Sequence, residues 1–259
     1  MDKKPFIFST LCIGTEYFKT YLVPLLLSFV DVYPDKHIFL VCYNDIDDKL
    51  IELAKKLLND RVIFRKIKEN YLQNSSYVEK AAFKISLSWN NVINEFNNRK
   101  IILMDSDMII CKPIDDIFTD DFDIGYTYFD NQEVPWTTSH RVSYTKNGYP
   151  RINTGILLVN NSEKCQLFFE IFKKTTIKFI DTKNKLCDEF KSAEQGSLPY
   201  LMTNGKIGKF NENFCHTINE SYNLKFKGFP CEILNHSEST CDGKIQTNTR
   251  ILHYKWSWR

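Results

Sequence analysis

The sequence predicts an α/β fold built on a largely parallel, doubly wound sheet flanked by helices. Three observations predict it. Bounded apolar runs alternate with helix-length stretches through the first half of the chain, the order of a β-α-β-α-β-α-β unit. Those runs are nearly continuous rather than alternating, as expected for strands buried on both faces. One of them ends in two carboxylates, Asp105 and Asp107, and such sheets bind ligands at the carboxyl ends of their strands.

Residues 6–12 read as the first strand, and Ile13-Gly14-Thr15-Glu16-Tyr17 as the turn into a helix with Thr15 as its N-cap. Residues 17–32 read as that helix, in which Pro24 either starts the main body or kinks it. A second strand is expected at 37–43, a helix at 46–58 and a third strand at 61–67. A polar stretch then leads into a long helix at 78–96. The fourth strand runs through residues 99–110, placing Asp105 and Asp107 on one side with one residue between them.

The second half changes character. Residues 123–129 read as a strand, and 130–150 as an irregular segment carrying Trp136, His140, Arg141 and Tyr144. Residues 151–160 form a strand with Gly155 near its start, which signals a close backbone approach or a bulge. Helices are expected at 162–179 and 193–202, a loop-rich stretch through Cys215, Tyr222 and Pro230, and a last strand at 250–254. No linker or repeat interrupts the chain. It reads as a single domain, about 5–110 a nucleotide-binding front half and about 111–259 a substrate-binding back half.

Composition narrows the function. Hydrophobic residues at 43% and charged ones at 25% suit an ordinary globular protein. A net charge of +2 argues against a nucleic-acid surface, so no nucleic-acid partner is expected. The N-terminal apolar run is too short and too polar-flanked for a signal peptide, and no window approaches the ~20 apolar residues of a membrane helix. A cytoplasmic location is therefore expected. The eight cysteines include no Cys-x-x-Cys pair and read as reduced core residues. Cys231, His236 and Cys241 do not match a zinc spacing. The tail Lys255-Trp256-Ser257-Trp258-Arg259 suits a weak peripheral membrane contact but is too short to anchor the chain.

Two carboxylates at the edge of a dry core repel each other and lose hydration. A divalent cation with positions open to phosphate oxygens compensates them; the alternative is a strand ending in a solvated polar turn. A phosphohydrolase using Asp-x-Asp as nucleophile and acid is a second alternative. That chemistry favours Thr or Val where Ile109 stands, on the chain's first strand.

Further motifs follow in order. They are Ser9-Thr10-Leu11 leading to Tyr17, then Lys84 in Ala81-Ala82-Phe83-Lys84-Ile85, and Asp105-Ser106-Asp107. After these come Asn153-Thr154-Gly155, Ala193-Glu194-Gln195-Gly196, and His253 in Ile251-Leu252-His253-Tyr254-Lys255-Trp256. Together they resemble glycosyltransferase family 8, the GT-A fold group containing glycogenin and lipopolysaccharide galactosyltransferases. The resemblance implies a Rossmann-like mixed sheet and transfer of a hexosyl or pentosyl group from a nucleoside diphosphate sugar, a UDP-sugar above all. The acceptor would be a hydroxyl of a glycan, glycolipid or protein, and the anomeric configuration would be retained.

The resemblance also assigns roles. Thr10, Leu11 and Tyr17 would hold the uracil base, and Lys84 would reach the donor's sugar and phosphates. Asp105, Asp107 and His253 would hold Mn²⁺ or Mg²⁺, with Ser106 between the carboxylates. Asn153, Thr154 and Glu194 would bind donor hydroxyls, Gln195 would sit near the anomeric carbon, and Lys255 would bind phosphate. An inverting enzyme would instead need a base such as Asp130, Glu133 or Glu194. A non-catalytic sugar-nucleotide-binding protein is the remaining alternative. The chain departs from the family in carrying Glu rather than Asp at 194, and in a compressed ending without its Gly and Pro.

Overall fold

A computed structural model describes residues 4–58, 60–68, 83–128, 151–184, 192–204, 217–219, 221–237 and 247–253. Ala81-Ala82, the segment 130–150 with Asp130 and Glu133, and the tail with Lys255 lie outside the described residues. In chain order the strands are β1 (Ile7–Ile13), β2 (Ile38–Asn44), β3 (Val62–Lys66), β4 (Lys100–Met104) and β5 (Met108–Ile110). They continue with β6 (Ile124–Tyr128), β7 (Ile152–Asn160), β8 (Thr217–Asn219), β9 (Leu224–Pro230) and β10 (Ile251–His253).

Eight of these form one sheet in the order β3-β2-β1-β4-β7-β6-β9-β8. The half from β3 to β4 is parallel throughout. β7 then runs antiparallel to both β4 and β6, β6 and β9 pair in parallel, and β8 is antiparallel to β9. The sheet is buried on both faces, which explains the continuous apolar runs. Ile102 and Met104 of β4 face one core with Phe8, Phe29 and Phe39. Ile101 and Leu103 face the other with Trp89, Phe168 and Phe172.

The helical segment after β1 comprises α1 (Thr15–Tyr17), a π turn (Phe18–Leu22) and α2 (Val23–Val32). Pro24 lies in the first turn of α2, so it starts the main body rather than kinking it. Thr15 is not the N-cap. Gly14 takes that place at φ 94°, a left-handed conformation that costs glycine little. The Thr15 hydroxyl instead accepts from the Asp47 N–H at 3.0 Å. Asp47 itself caps α3 (Asp48–Leu57) by accepting from the Lys49 N–H. A π turn (Lys84–Trp89) opens into α4 (Asn90–Glu95), followed later by α5 (Glu163–Asp181), α6 (Ala193–Met202) and α7 (Cys231–Leu234).

Two further expectations change. The fourth strand is not continuous: it stops at Met104, the chain bends through Asp105-Ser106-Asp107, and β5 pairs with β10 in a separate small sheet. The stretch expected to be loop-rich holds β8, β9 and α7. Gly155 meets both of its expectations. The β6–β7 register slips between Tyr126, opposite Leu157, and Thr127, opposite Asn153. A Cβ at Gly155 would lie 2.9 Å from Met108 Cε and 3.0 Å from Asn235 Nδ2.

Among the described cysteines, Cys12, Cys42 and Cys165 are free and buried, Cys231 is buried, and Cys111 is free and exposed. No helix among the described residues is long and apolar enough to cross a membrane.

Candidate active site

The bend after β4 is fixed from two sides. The Asp105 N–H donates to the Gly155 carbonyl at 2.8 Å, and the Ser106 hydroxyl donates to the Leu11 carbonyl at 3.2 Å. Beyond the bend, the antiparallel pairing of β5 with β10 sets His253 opposite Met108. The register therefore brings an imidazole from far along the chain to the two carboxylates. His253 Nε2 lies 3.2 Å from Asp107 Oδ1 and 3.9 Å from Asp105 Oδ2. One ligand atom from each of the three residues falls within 4.8 Å of the others. Two carboxylates and one imidazole form a donor set that suits Mn²⁺ or Mg²⁺, so the residues present fit the expected metal.

Lys84 supplies a positive charge beside this cluster. Its ammonium donates to Asp105 Oδ1 at 2.9 Å and lies 3.4 Å from Glu194 Oε1. It also sits 4.8 Å from the centre of the Trp89 ring, which favours a cation electrostatically. Among the described residues, Asp105, Asp107 and Glu194 thus gather around Lys84 and His253, a balance that a bound cation would complete. Burial pushes the Asp105 carboxyl above its usual range, and Asp107 pushes it further, while Lys84 and His253 oppose them. Burial also acts to raise Asp107, but His253 and the Tyr17 hydroxyl beside it outweigh this and hold it below the usual range.

The other expected residues are distributed around this centre. Tyr17 reaches Asp107 through its hydroxyl, and its ring packs 4.5 Å from that of Tyr21. Asn153 lies at the bulge, where its Oδ1 accepts from the Gly155 N–H. Its Nδ2 has no hydrogen-bond partner among the described residues, nor do Thr10 Oγ1, Thr154 Oγ1 and Glu194 Oε2. Buried polar atoms are normally satisfied, so four orphans among the expected ligand-binding residues are the pattern a polar ligand would complete. Glu194 is buried and Gln195 half-buried in the first turn of α6.

Sequence reasoning did not find Asn235, Thr127 or Trp89. Asn235 Oδ1 lies 2.7 Å from His253 Nδ1, and Asn235 Nδ2 lies 3.0 Å from Thr127 Oγ1. Asn235 falls in the stretch read as loop, so no periodicity drew attention to it.

No family model matches the sequence, and no curated protein matches it. Solved structures do. The galactosyltransferase LgtC, in complex with donor and acceptor sugar analogs, is 14% identical with a TM-score of 0.59. The match covers 96% of this chain and 86% of that one. The chain has the GT-A glycosyltransferase fold. An active-site mutant of LgtC gives 13% identity and a TM-score of 0.53 over the same shares of the two chains. In this GT-A fold, the Asp-Asp-His cluster lies at the carboxyl end of β4, where an α/β sheet presents its ligand crevice.

Proposed function

We propose that the chain is a metal-dependent glycosyltransferase that moves a sugar from a nucleoside diphosphate sugar, a UDP-sugar above all, to an acceptor hydroxyl. One observation carries the reading: Asp105, Asp107 and His253 converge beside a Lys84 already engaged by two carboxylates. Asp105, Asp107 and His253 would hold Mn²⁺ or Mg²⁺, which when bound neutralises the charge that builds on the departing diphosphate.

The chain's own residues bind and orient the donor. Lys84 can exchange carboxylate oxygens for donor oxygens without leaving its seat over Trp89. Asn153 Nδ2 donates to one sugar hydroxyl and Glu194 Oε2 accepts from another, filling two of the orphan positions. Tyr17 flanks the uracil, Thr10 and Leu11 line the β1 end, and Gln195 lies by the anomeric carbon. With retention of configuration, the leaving phosphate takes the acceptor's proton and Gln195 supports the positive charge that develops at the sugar. The acceptor is a glycan, glycolipid or protein hydroxyl, met through the segment 130–150. The deciding experiment measures hydrolysis and transfer from a panel of UDP-sugars with and without Mn²⁺. The expected result is release of UDP that requires metal; metal-independent phosphatase activity would sink the proposal.

A further inference from the structure

The donor arithmetic around Asn235 settles more than a contact. The Thr127 hydroxyl lies 2.8 Å from the Asn153 carbonyl, which accepts its only proton. The oxygen of that hydroxyl is then left to accept, and the amide group 3.0 Å away must present its NH₂ to it. Turning the amide over would set two acceptors against a single proton and leave one contact empty. Asn235 Oδ1 consequently faces His253 Nδ1 at 2.7 Å, so Nδ1 carries the hydrogen. In the neutral ring, the form that a metal binds, Nε2 then carries the lone pair beside Asp105 and Asp107. A hydrogen bond to one ring nitrogen decides which nitrogen is free to ligate.

We propose that Asn235 is a positioning residue that, through the relay Asn153–Thr127–Asn235, locks His253 in its metal-competent tautomer. This rests on the reading of Asp105, Asp107 and His253 as a metal site. An amide is the fitting choice there. It fixes the tautomer with a neutral oxygen, where a carboxylate would bring further negative charge to a place that already holds Asp105, Asp107 and Glu194. Asn235 is fully buried, and the surrounding backbone is held independently of its side chain. The His253 N–H donates to the His236 carbonyl at 2.7 Å, and the His236 N–H to the Ile251 carbonyl at 3.1 Å. A substitution at 235 therefore changes the partner of the ring without releasing β10.

The test uses Mn²⁺ titration in the presence of UDP, followed by calorimetry, on the wild type and on the Asn235→Leu, Asn235→Asp and His253→Ala variants. Nitrogen NMR of the metal-free wild type, recorded where the His253 ring is neutral, reads the tautomer. We expect the Nδ1–H form in the wild type, loss of about 10–100-fold in Mn²⁺ affinity for Asn235→Leu, and retention for Asn235→Asp. An Nε2–H wild-type ring, or unchanged affinity in Asn235→Leu, would overturn the proposal. If His253→Ala binds Mn²⁺ as the wild type does, the metal reading fails, while the NMR result still judges the tautomer by itself. Should Asn235→Leu not fold, the wild-type spectrum and Asn235→Asp decide.

Discussion

Asp105 and Asp107 sit two positions apart, yet the protein pushes their protons in opposite directions. The raised Asp105 costs stability at neutral pH, whereas the lowered Asp107 contributes some. Both Asp105→Asn and Asp107→Asn should lose metal-dependent UDP binding, the first melting at or above the wild-type temperature and the second at or below it. Calorimetric titration of UDP with and without Mn²⁺, paired with thermal melts, checks both halves. Equal UDP affinity with and without metal in the wild type would remove the metal from the site. Gly155→Ala tests the backbone beneath. The added Cβ meets Met108 Cε, Asn235 Nδ2 and Asn153 Oδ1 at 2.9–3.1 Å. The thioether end can move, but the two amides belong to the relay and the expected sugar contact. We expect a stability loss of about 1–3 kcal/mol in urea melts, with donor turnover reduced more than that loss implies.

At the scale of elements, β1 and β2 are tied by a buried histidine that must stay neutral. His37 Nδ1 accepts from the Phe6 N–H at 3.0 Å, its ring stacks on Phe6 at 4.4 Å, and Nε2 lies 3.3 Å from Asp115. Burial lowers its pKa from 6.5 to about 4, against the pull of Asp115. Between those values the unfolded chain takes up a proton that the folded chain refuses. Stability is thus fully present above pH 6.5 and falls as pH drops toward about 4, by roughly 3 kcal/mol at most. Urea midpoints at neutral pH and near pH 4 should show this slope, and His37→Asn, which keeps an acceptor for Phe6, should flatten it. An unchanged slope in the variant would place the proton elsewhere.

Elements also mark where the sequence could be read and where it could not. The first three strands and α6 lie within a residue of their expected bounds, because buried apolar runs and an N-terminal acidic turn are local signals. β9 was missed although Leu224 and Phe226 alternate with Lys225 and Lys227, since Gly228 and Pro230 weigh against a strand. The split of β4 from β5 has no local cause at all. Residues 101–104 and 108–110 are apolar on both sides of the carboxylates, and only contacts distant in sequence, with Leu11, Gly155 and β10, decide that the chain leaves the main sheet.

At the scale of the whole molecule, two layers of helices over a mixed sheet carry a cluster that joins the middle of the chain to its last described strand. Ligand binding should therefore stabilise the fold as a unit. At a hundredfold excess over Kd, Mn²⁺ with UDP should add about 2.7 kcal/mol, or roughly 5–10 °C in Tm for a chain of this size. Differential scanning fluorimetry reads the shift, and its absence in Asp107→Asn distinguishes site binding from a general ion effect. The site's polar residues were legible one by one only as weak signals. Their meeting was not, because Lys84, Asp105 and His253 are joined by topology rather than spacing.

The small sheet of β5 and β10 also sets a clock. A growing chain acquires both carboxylates early and holds them without their imidazole through nearly a hundred and fifty further residues of synthesis, 253 less 107 being 146. On the proposed metal reading, an ion would meet two carboxylates without the third ligand until β10 is made and docks. Competence to hold the proposed metal would arrive late and all at once, with the closing of a three-residue strand.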